Sequence, residues 1–240
     1  MLNLKKDLGL FVLILVVGTV VALINPRFLS AINISNTANL VGLFGLFAIG
    51  EAFVIITGGI ELSVGSMIAL LGVIFVDLIA SRGVPWPVAS LIILLLGILM
   101  GLAHGLLITK KRMQPFVVTL CGLLIYRGVA RFYTADATAG FPFGVRFEDL
   151  EYLTTGRTDI VGVLTGDTYT SIPIPHSFLF MLIVAAVMWV VFHHTVFGRH
   201  LYAVGKNEEA ARFSGIRTSR VIIAAYVICG VLTALRPVTR

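Results

Sequence analysis

Residues 55–66 read Ile55-Ile56-Thr57-Gly58-Gly59-Ile60-Glu61-Leu62-Ser63-Val64-Gly65-Ser66, and they lie between two apolar runs, each long enough to cross a bilayer. Glycine loses more backbone freedom on entering a helix than any other residue, so two in succession mark a place where a helix stops. A carboxylate costs several kcal/mol in hydrocarbon, so Glu61 is not lipid-facing. The stretch therefore predicts a break within a membrane helix, one interrupted helix at Gly58-Gly59. Freed backbone groups are tolerated at membrane depth only against protein or a water-filled cavity, and transporters line substrate paths with such breaks. Thr57, Gly58, Gly59, Glu61, Ser63 and Gly65 are the candidate residues of a solute path or gate.

Composition agrees with a membrane location. Hydrophobic residues make up 58% and charged residues 12% of the 240, against roughly 45–50% and 25% in soluble domains. A formal charge of +6 could point to nucleic acid, but the cations sit in short loops between apolar runs, which is the pattern of membrane orientation. Nucleic acid is set aside. Cys121 and Cys229 fall within apolar segments, with no C-x-x-C spacing or histidine cluster beside them, and read as small buried hydrophobes. No metal site or cofactor is expected.

Outward from the break, apolar runs extend over Leu8 to Ile24, Leu40 to Thr57, Ser63 to Ala80, Pro87 to Ile108, Pro115 to Tyr133, His176 to Thr195 and Val221 to Leu235. The expectation is an all-α polytopic bundle of about seven spans forming one domain over 1–240. The first run is too long for a leader's core and lacks a small-residue cleavage site, so it is read as a span. Asn25 to Asn39 reads as a polar linker, and the Asn33-Ile34-Ser35 sequon within it as a chance match. Gly97, Gly101 and Gly105 recur every four residues and form a packing seam. Residues 134–175 hold six acids (Asp136, Glu148, Asp149, Glu151, Asp159, Asp167) against Arg146 and Arg157. They read as a solvated loop on the outer side.

Ionisable residues at membrane depth are functional candidates by default. Glu51 stands in the second run, either at a site or paired with an arginine of another helix. His104 flanks the glycine seam, either as a hydrogen-bonded packing residue or as a proton relay. Arg127 and Arg131 lie one turn apart and either snorkel to the headgroups or pair with Glu51 or Glu61. Glu51, His104 and Arg127 are the candidate intramembrane network. His193 and His194 project about 100° apart on a helix, without further ligands nearby.

Residues 196–220 form the other informative loop. Asn207 can cap a helix, Glu208 and Glu209 suit its first turn, Arg212 its last, and Gly215 its stop. A short helix is thus expected between two crossings.

Two motifs carry a family resemblance. Thr57-Gly58-Gly59-Ile60-Glu61-Leu62-Ser63-Val64-Gly65-Ser66 resembles the T-G-G-I-D-L-S-V-G-S signature of permease subunits of bacterial ATP-driven sugar importers of the ribose, galactose and galactofuranose type, with Glu61 where that family has Asp. Glu209-Ala210-Ala211 followed by Gly215 resembles the E-A-A-x-x-x-G coupling motif of importer permeases, though the usual I-x-L-P tail is absent. Pro115-Phe116-Val117-Val118-Thr119-Leu120 and Arg127-Gly128 are similar to two further family elements.

The resemblance implies a permease subunit in the bacterial inner membrane, paired with a second permease. Its other partners would be a cytoplasmic ATP-binding subunit that docks on Glu209, Ala210, Ala211 and Gly215, and a periplasmic sugar-binding protein. It also implies helices beyond Leu235, so the chain reads either as C-terminally truncated or as ending in residues of a different reading frame. With the N-terminus inside, ten Lys and Arg fall in inner segments against Arg27, Arg82, Arg146 and Arg157 outside, as the positive-inside rule requires. The glycine break then lies toward the cytoplasmic side, as a gate or a midplane site.

There is no G-x-x-x-x-G-K-[ST], and Ser63-Val64-Gly65 lacks the first glycine of a nucleophile elbow. The chain is expected not to be an enzyme, with ATP hydrolysis residing on another subunit. The competing expectation is an ion-coupled secondary transporter with Glu51, Glu61 and His104 as relay; an intramembrane enzyme comes third.

Overall fold

The computed structural model describes residues 4–137, 140, 156–158 and 173–238. Nine α-helices occur among them: α1 (Leu4–Ile24), α2 (Ala31–Ile56), α3 (Val64–Ala80), α4 (Trp86–Lys110), α5 (Pro115–Thr134), α6 (His176–His194), α7 (Val196–Lys206), α8 (Glu208–Phe213) and α9 (Thr218–Val238). The fold is an all-α helical bundle. Five of these helices, α2, α4, α5, α6 and α9, are long and apolar enough to cross a membrane; Leu8–Ile24 and α3 are shorter apolar helices.

The centre of the bundle is α9, which packs on α4, α2, α3 and α7. Of the five helices able to cross a membrane, α9 is the most buried. Its approach to α4 is set by glycine. A side chain at Gly97 would lie 2.5 Å from the Gly230 carbonyl, Gly230 abuts the Gly97 carbonyl in return, and Gly101 abuts the carbonyl of Tyr226. Small residues let two backbones meet where lipid gives no hydrophobic drive for association, so the seam expected on α4 is the contact with α9. Toward one end Leu71, Phe75, Ile79, Ala89, Ile93 and Ala234 cluster; toward the other, Phe53, Leu201, Val204, Ala211, Val221 and Ala225 do.

The expected linker from Asn25 to Asn39 is mostly helix. A 3-10 turn spans Pro26–Leu29, and Ser30 then caps α2 by accepting from the Asn33 N–H at 3.3 Å. The polar residues that disguised this part of α2 bond to the chain entering α6. Ser35 Oγ donates to the Pro173 carbonyl at 2.5 Å and Ser177 Oγ donates to Asn39 Oδ1 at 2.6 Å.

Of the 134–175 loop, Glu148, Asp149, Glu151, Asp159, Asp167 and Arg146 lie outside the described residues. Its described edges form two short antiparallel strands, β1 (Arg157–Thr158) and β2 (Ile174–Pro175). At the end of α5, Arg131 Nε donates to Asp136 Oδ1 at 2.5 Å. That hydrogen bond holds the Asp136 carboxyl below the usual carboxylate range. At the same end of the bundle, Asp77 accepts from Arg82 Nε at 2.8 Å and from the Tyr133 hydroxyl at 2.6 Å, tying α3 to α5.

Residues 196–220 hold two helices rather than one. The unforeseen one is α7, whose Thr195 cap accepts from the Gly198 N–H at 3.1 Å and whose Leu201 and Val204 are buried against Phe53. Its polar face, with Arg199 and Lys206, is exposed.

Candidate functional site

The helix break falls where the glycines stand. The N–H groups of Gly58 and Gly59 donate back to the carbonyls of Ile55 and Val54 at 2.9 and 3.1 Å, closing α2, and the chain is non-helical until Val64. The two glycines answer different demands. Gly58 has φ +79°, a left-handed conformation that a Cβ makes costly. Gly59 has no such angle; a Cβ there would lie 2.8 Å from the Tyr226 hydroxyl, so it is needed for space. Gly65 is different again: it is exposed, and nothing lies within 4 Å of where its Cβ would be.

After the turn a non-helical segment, residues 59–63, buries Glu61 and Ser63. Here Glu61 is fully engaged. Its Oε1 accepts from the Ser63 N–H at 2.8 Å and from Ser63 Oγ at 2.6 Å, which ties down the start of α3. Its Oε2 accepts from His104 Nδ1 of α4 at 2.6 Å, and the Tyr126 hydroxyl of α5 lies 3.0 Å from His104 Nε2. A single neutral imidazole satisfies both contacts, with Nδ1–H donating to the carboxylate and Nε2 accepting from Tyr126. Gly122 makes room for the ring: a Cβ there would meet His104 Nε2 at 2.6 Å. Glu61 thus holds Ser63 through one carboxylate oxygen and His104 through the other.

A second clamp comes from α9. Buried Tyr226 donates its hydroxyl to the Ile60 carbonyl at 3.1 Å and meets His104 edge-on with ring centroids 6.4 Å apart. His104 sits six residues from the end of α4, so the polar cluster lies about 9 Å along the bundle from that end. Glu51 and Arg127 stand outside the cluster. Glu51 is partly buried on α2 and Arg127 is exposed on α5, and among the described residues no ion pair joins either to His104 or Glu61.

Beyond the turn opens a cavity of about 670 Å³. Thr57, Gly58 and Gly59 face it from one side and Glu208, Glu209 and Arg212 of α8 from another, with Arg112 to Pro115 and Tyr226 also lining it. The short helix α8 is built as its residues dictate. Asn207 Oδ1 accepts from the Ala210 N–H at 2.9 Å, Gly215 turns the chain at φ +84°, and the Gly215 N–H donates to the Arg212 carbonyl at 3.0 Å. Ala211 is its buried anchor, while Glu209 and Ala210 are exposed and Phe213 is 80% exposed.

Sequence reasoning did not find Tyr126 or Tyr226. The only sign was a phenol within an apolar run, where a buried hydroxyl needs a partner; which partner depends on helix neighbours.

A family model described as the branched-chain amino acid transport system permease component matches residues 33–236. The chain belongs to this permease family. The ribose import permease protein RbsC of Bacillus subtilis (strain 168) is 37% identical over 235 residues, covering 98% of this chain and 67% of that protein. RbsC of Escherichia coli (strain K12) is 34% identical over 231 residues, covering 96% and 66%. The xylose transport system permease protein XylH of the same strain is 28% identical over 282 residues, covering 96% and 71%. This permease-family chain thus spans about two-thirds of the length of the curated relatives it matches. No solved structure matches it.

Proposed function

We propose that the chain is the membrane permease subunit of an ATP-driven importer that carries a monosaccharide across the bacterial inner membrane, with its N-terminus in the cytoplasm. Membership of the permease family and similarity to ribose and xylose permeases over nearly the whole chain support this reading. The observation that carries the mechanism is the cavity with the helix break on one side and the capped helix α8 on the other. A nucleotide-binding partner on α8 would act beside the segment that closes the solute path. Thr57, Gly58, Gly59, Glu61 and Ser63 form the gate in this reading, with Gly65 beside them at the first turn of α3. Glu209, Ala210, Ala211 and Gly215 form the docking element.

The remaining partners are a periplasmic sugar-binding protein and a second permease subunit. Opposite access states would then be two packings of the same helices, biased by differential contacts with the ATPase. Vesicle uptake tests the reading. Radiolabelled ribose or xylose should accumulate only with ATP and the ATP-binding subunit, and Glu209→Lys should abolish uptake without loss of membrane insertion. Accumulation driven by a proton or sodium gradient without that subunit would instead support the relay through Glu61 and His104.

A further inference from the structure

The helix α8 is flanked in sequence by two contacts that hold the two sides of the break. Just before it, Gly205 of α7 lies so close to the Ile56 carbonyl that no Cβ fits, and Ile56 is the last residue of α2. Just after it, α9 begins at Thr218 and carries Tyr226, whose hydroxyl donates to the Ile60 carbonyl within the non-helical segment at 3.1 Å. Both contacts are specific. The first needs a residue without a side chain, and the second joins a fully buried hydroxyl to a main-chain acceptor that has left its helix. The cavity separates α8 from Thr57 to Gly59, so displacement of α8 reaches the break through these flanking elements rather than by direct touch.

Rigid geometry favours transmission. From Thr218 to Tyr226 is eight residues of continuous helix, about 12 Å, and α7 is anchored by Leu201 and Val204 in the cluster that also holds Ala211 of α8. We propose that Gly205 and Tyr226 are positioning residues that transmit movement of α8 to the two sides of the Gly58-Gly59 break, with the Tyr226 to Ile60 hydrogen bond as the link that pulls on the non-helical segment. The inference rests on the reading of α8 as the surface on which an ATP-binding subunit docks.

The test uses the transporter assembled with its ATP-binding subunit in proteoliposomes. A cysteine introduced by Thr57→Cys in a Cys121→Ser background reports on the break through its rate of labelling by a membrane-impermeant maleimide. ATP should change that rate by on the order of tenfold. With Tyr226→Phe, which keeps the ring and removes one buried hydrogen bond, the response should fall below about twofold while ATP hydrolysis stays close to the parent and the protein stays folded, with a modestly lowered unfolding temperature. An undiminished response in Tyr226→Phe, or none in the parent, overturns the inference. Glu209→Lys separates the two readings: a normal ATP response in that variant overturns the docking role of α8, whatever Tyr226→Phe does.

Discussion

Glu61 and His104, forty-three residues apart in sequence, meet through a 2.6 Å contact between Oε2 and Nδ1, with side chains 2% and 3% exposed. The contact fixes the non-helical segment to α4, and through His104 to Tyr126 of α5. Glu61→Asp retracts the carboxylate by one methylene, so it cannot keep both Ser63 and His104. It should lower stability by about 1–3 kcal/mol, the cost of a buried polar group left without its partner. Thermal unfolding in detergent measures this, and a double-mutant cycle with His104→Ala should show a coupling of about 0.5–3 kcal/mol. Additive effects would mean the two side chains do not interact.

Gly58→Ala and Gly59→Ala should fail for separate reasons and respond differently to a second change. At Gly58 the penalty is conformational, about 1–2 kcal/mol, and no neighbouring substitution should relieve it. At Gly59 the penalty is a collision with the Tyr226 hydroxyl, so Tyr226→Phe should rescue part of the loss. Stability of the four variants distinguishes these cases, and equal rescue at both positions would contradict the geometry.

Glycines on the α4 to α9 seam should be intolerant and Gly65 tolerant. Gly97→Leu places a side chain against the Gly230 carbonyl and should force α9 away from α4, with overpacking costs of about 1–3 kcal/mol or more. Gly65→Ala meets nothing, and should change stability by no more than about 0.5 kcal/mol. Protease sensitivity of the membrane-inserted chain gives the comparison. If Gly65→Ala impairs uptake with stability unchanged, the glycine serves an access state other than the one described here.

The cap of α8 and its exposed aromatic should separate folding from docking. Asn207→Ala removes the acceptor for the Ala210 N–H and should cost about 1 kcal/mol, read as faster hydrogen exchange across residues 208–213. Phe213→Ala removes an 80% exposed ring and should leave exchange and stability unchanged while weakening assembly with the ATP-binding subunit by about tenfold. Assembly is measured by co-purification at graded salt and detergent. Unchanged assembly in Phe213→Ala would remove the ring from the docking surface.

Two features are legible from local residues. The break at Gly58-Gly59 and the cap, charge order and stop of α8 are set by residues within a few positions of one another, so the sequence contains the whole cause. The reading failed where a residue's partner is distant. Ser35 and Asn39 resemble a linker because their partners, Pro173 and Ser177, lie 138 residues away. The alternation of buried and exposed positions on α7 passed unnoticed inside a loop otherwise rich in turn and charge signals. His104 is expected either in a network with Glu51 and Arg127 or in a relay with Glu51 and Glu61, and the structure joins it to Glu61; apolar runs do not disclose which helices are neighbours.

Hydropathy and the glycine pair determined by themselves that this chain crosses a membrane as helices and that one connection between them is irregular; both follow from the cost of exposing main-chain groups and charges to lipid. Tertiary structure alone decided that α9 occupies the centre, that Glu61 finds Ser63 and His104, and that Tyr226 holds Ile60. Those contacts depend on the rotation and depth of each helix against its neighbours. Shape complementarity across glycine seams sets these, and no local pattern of residues encodes them.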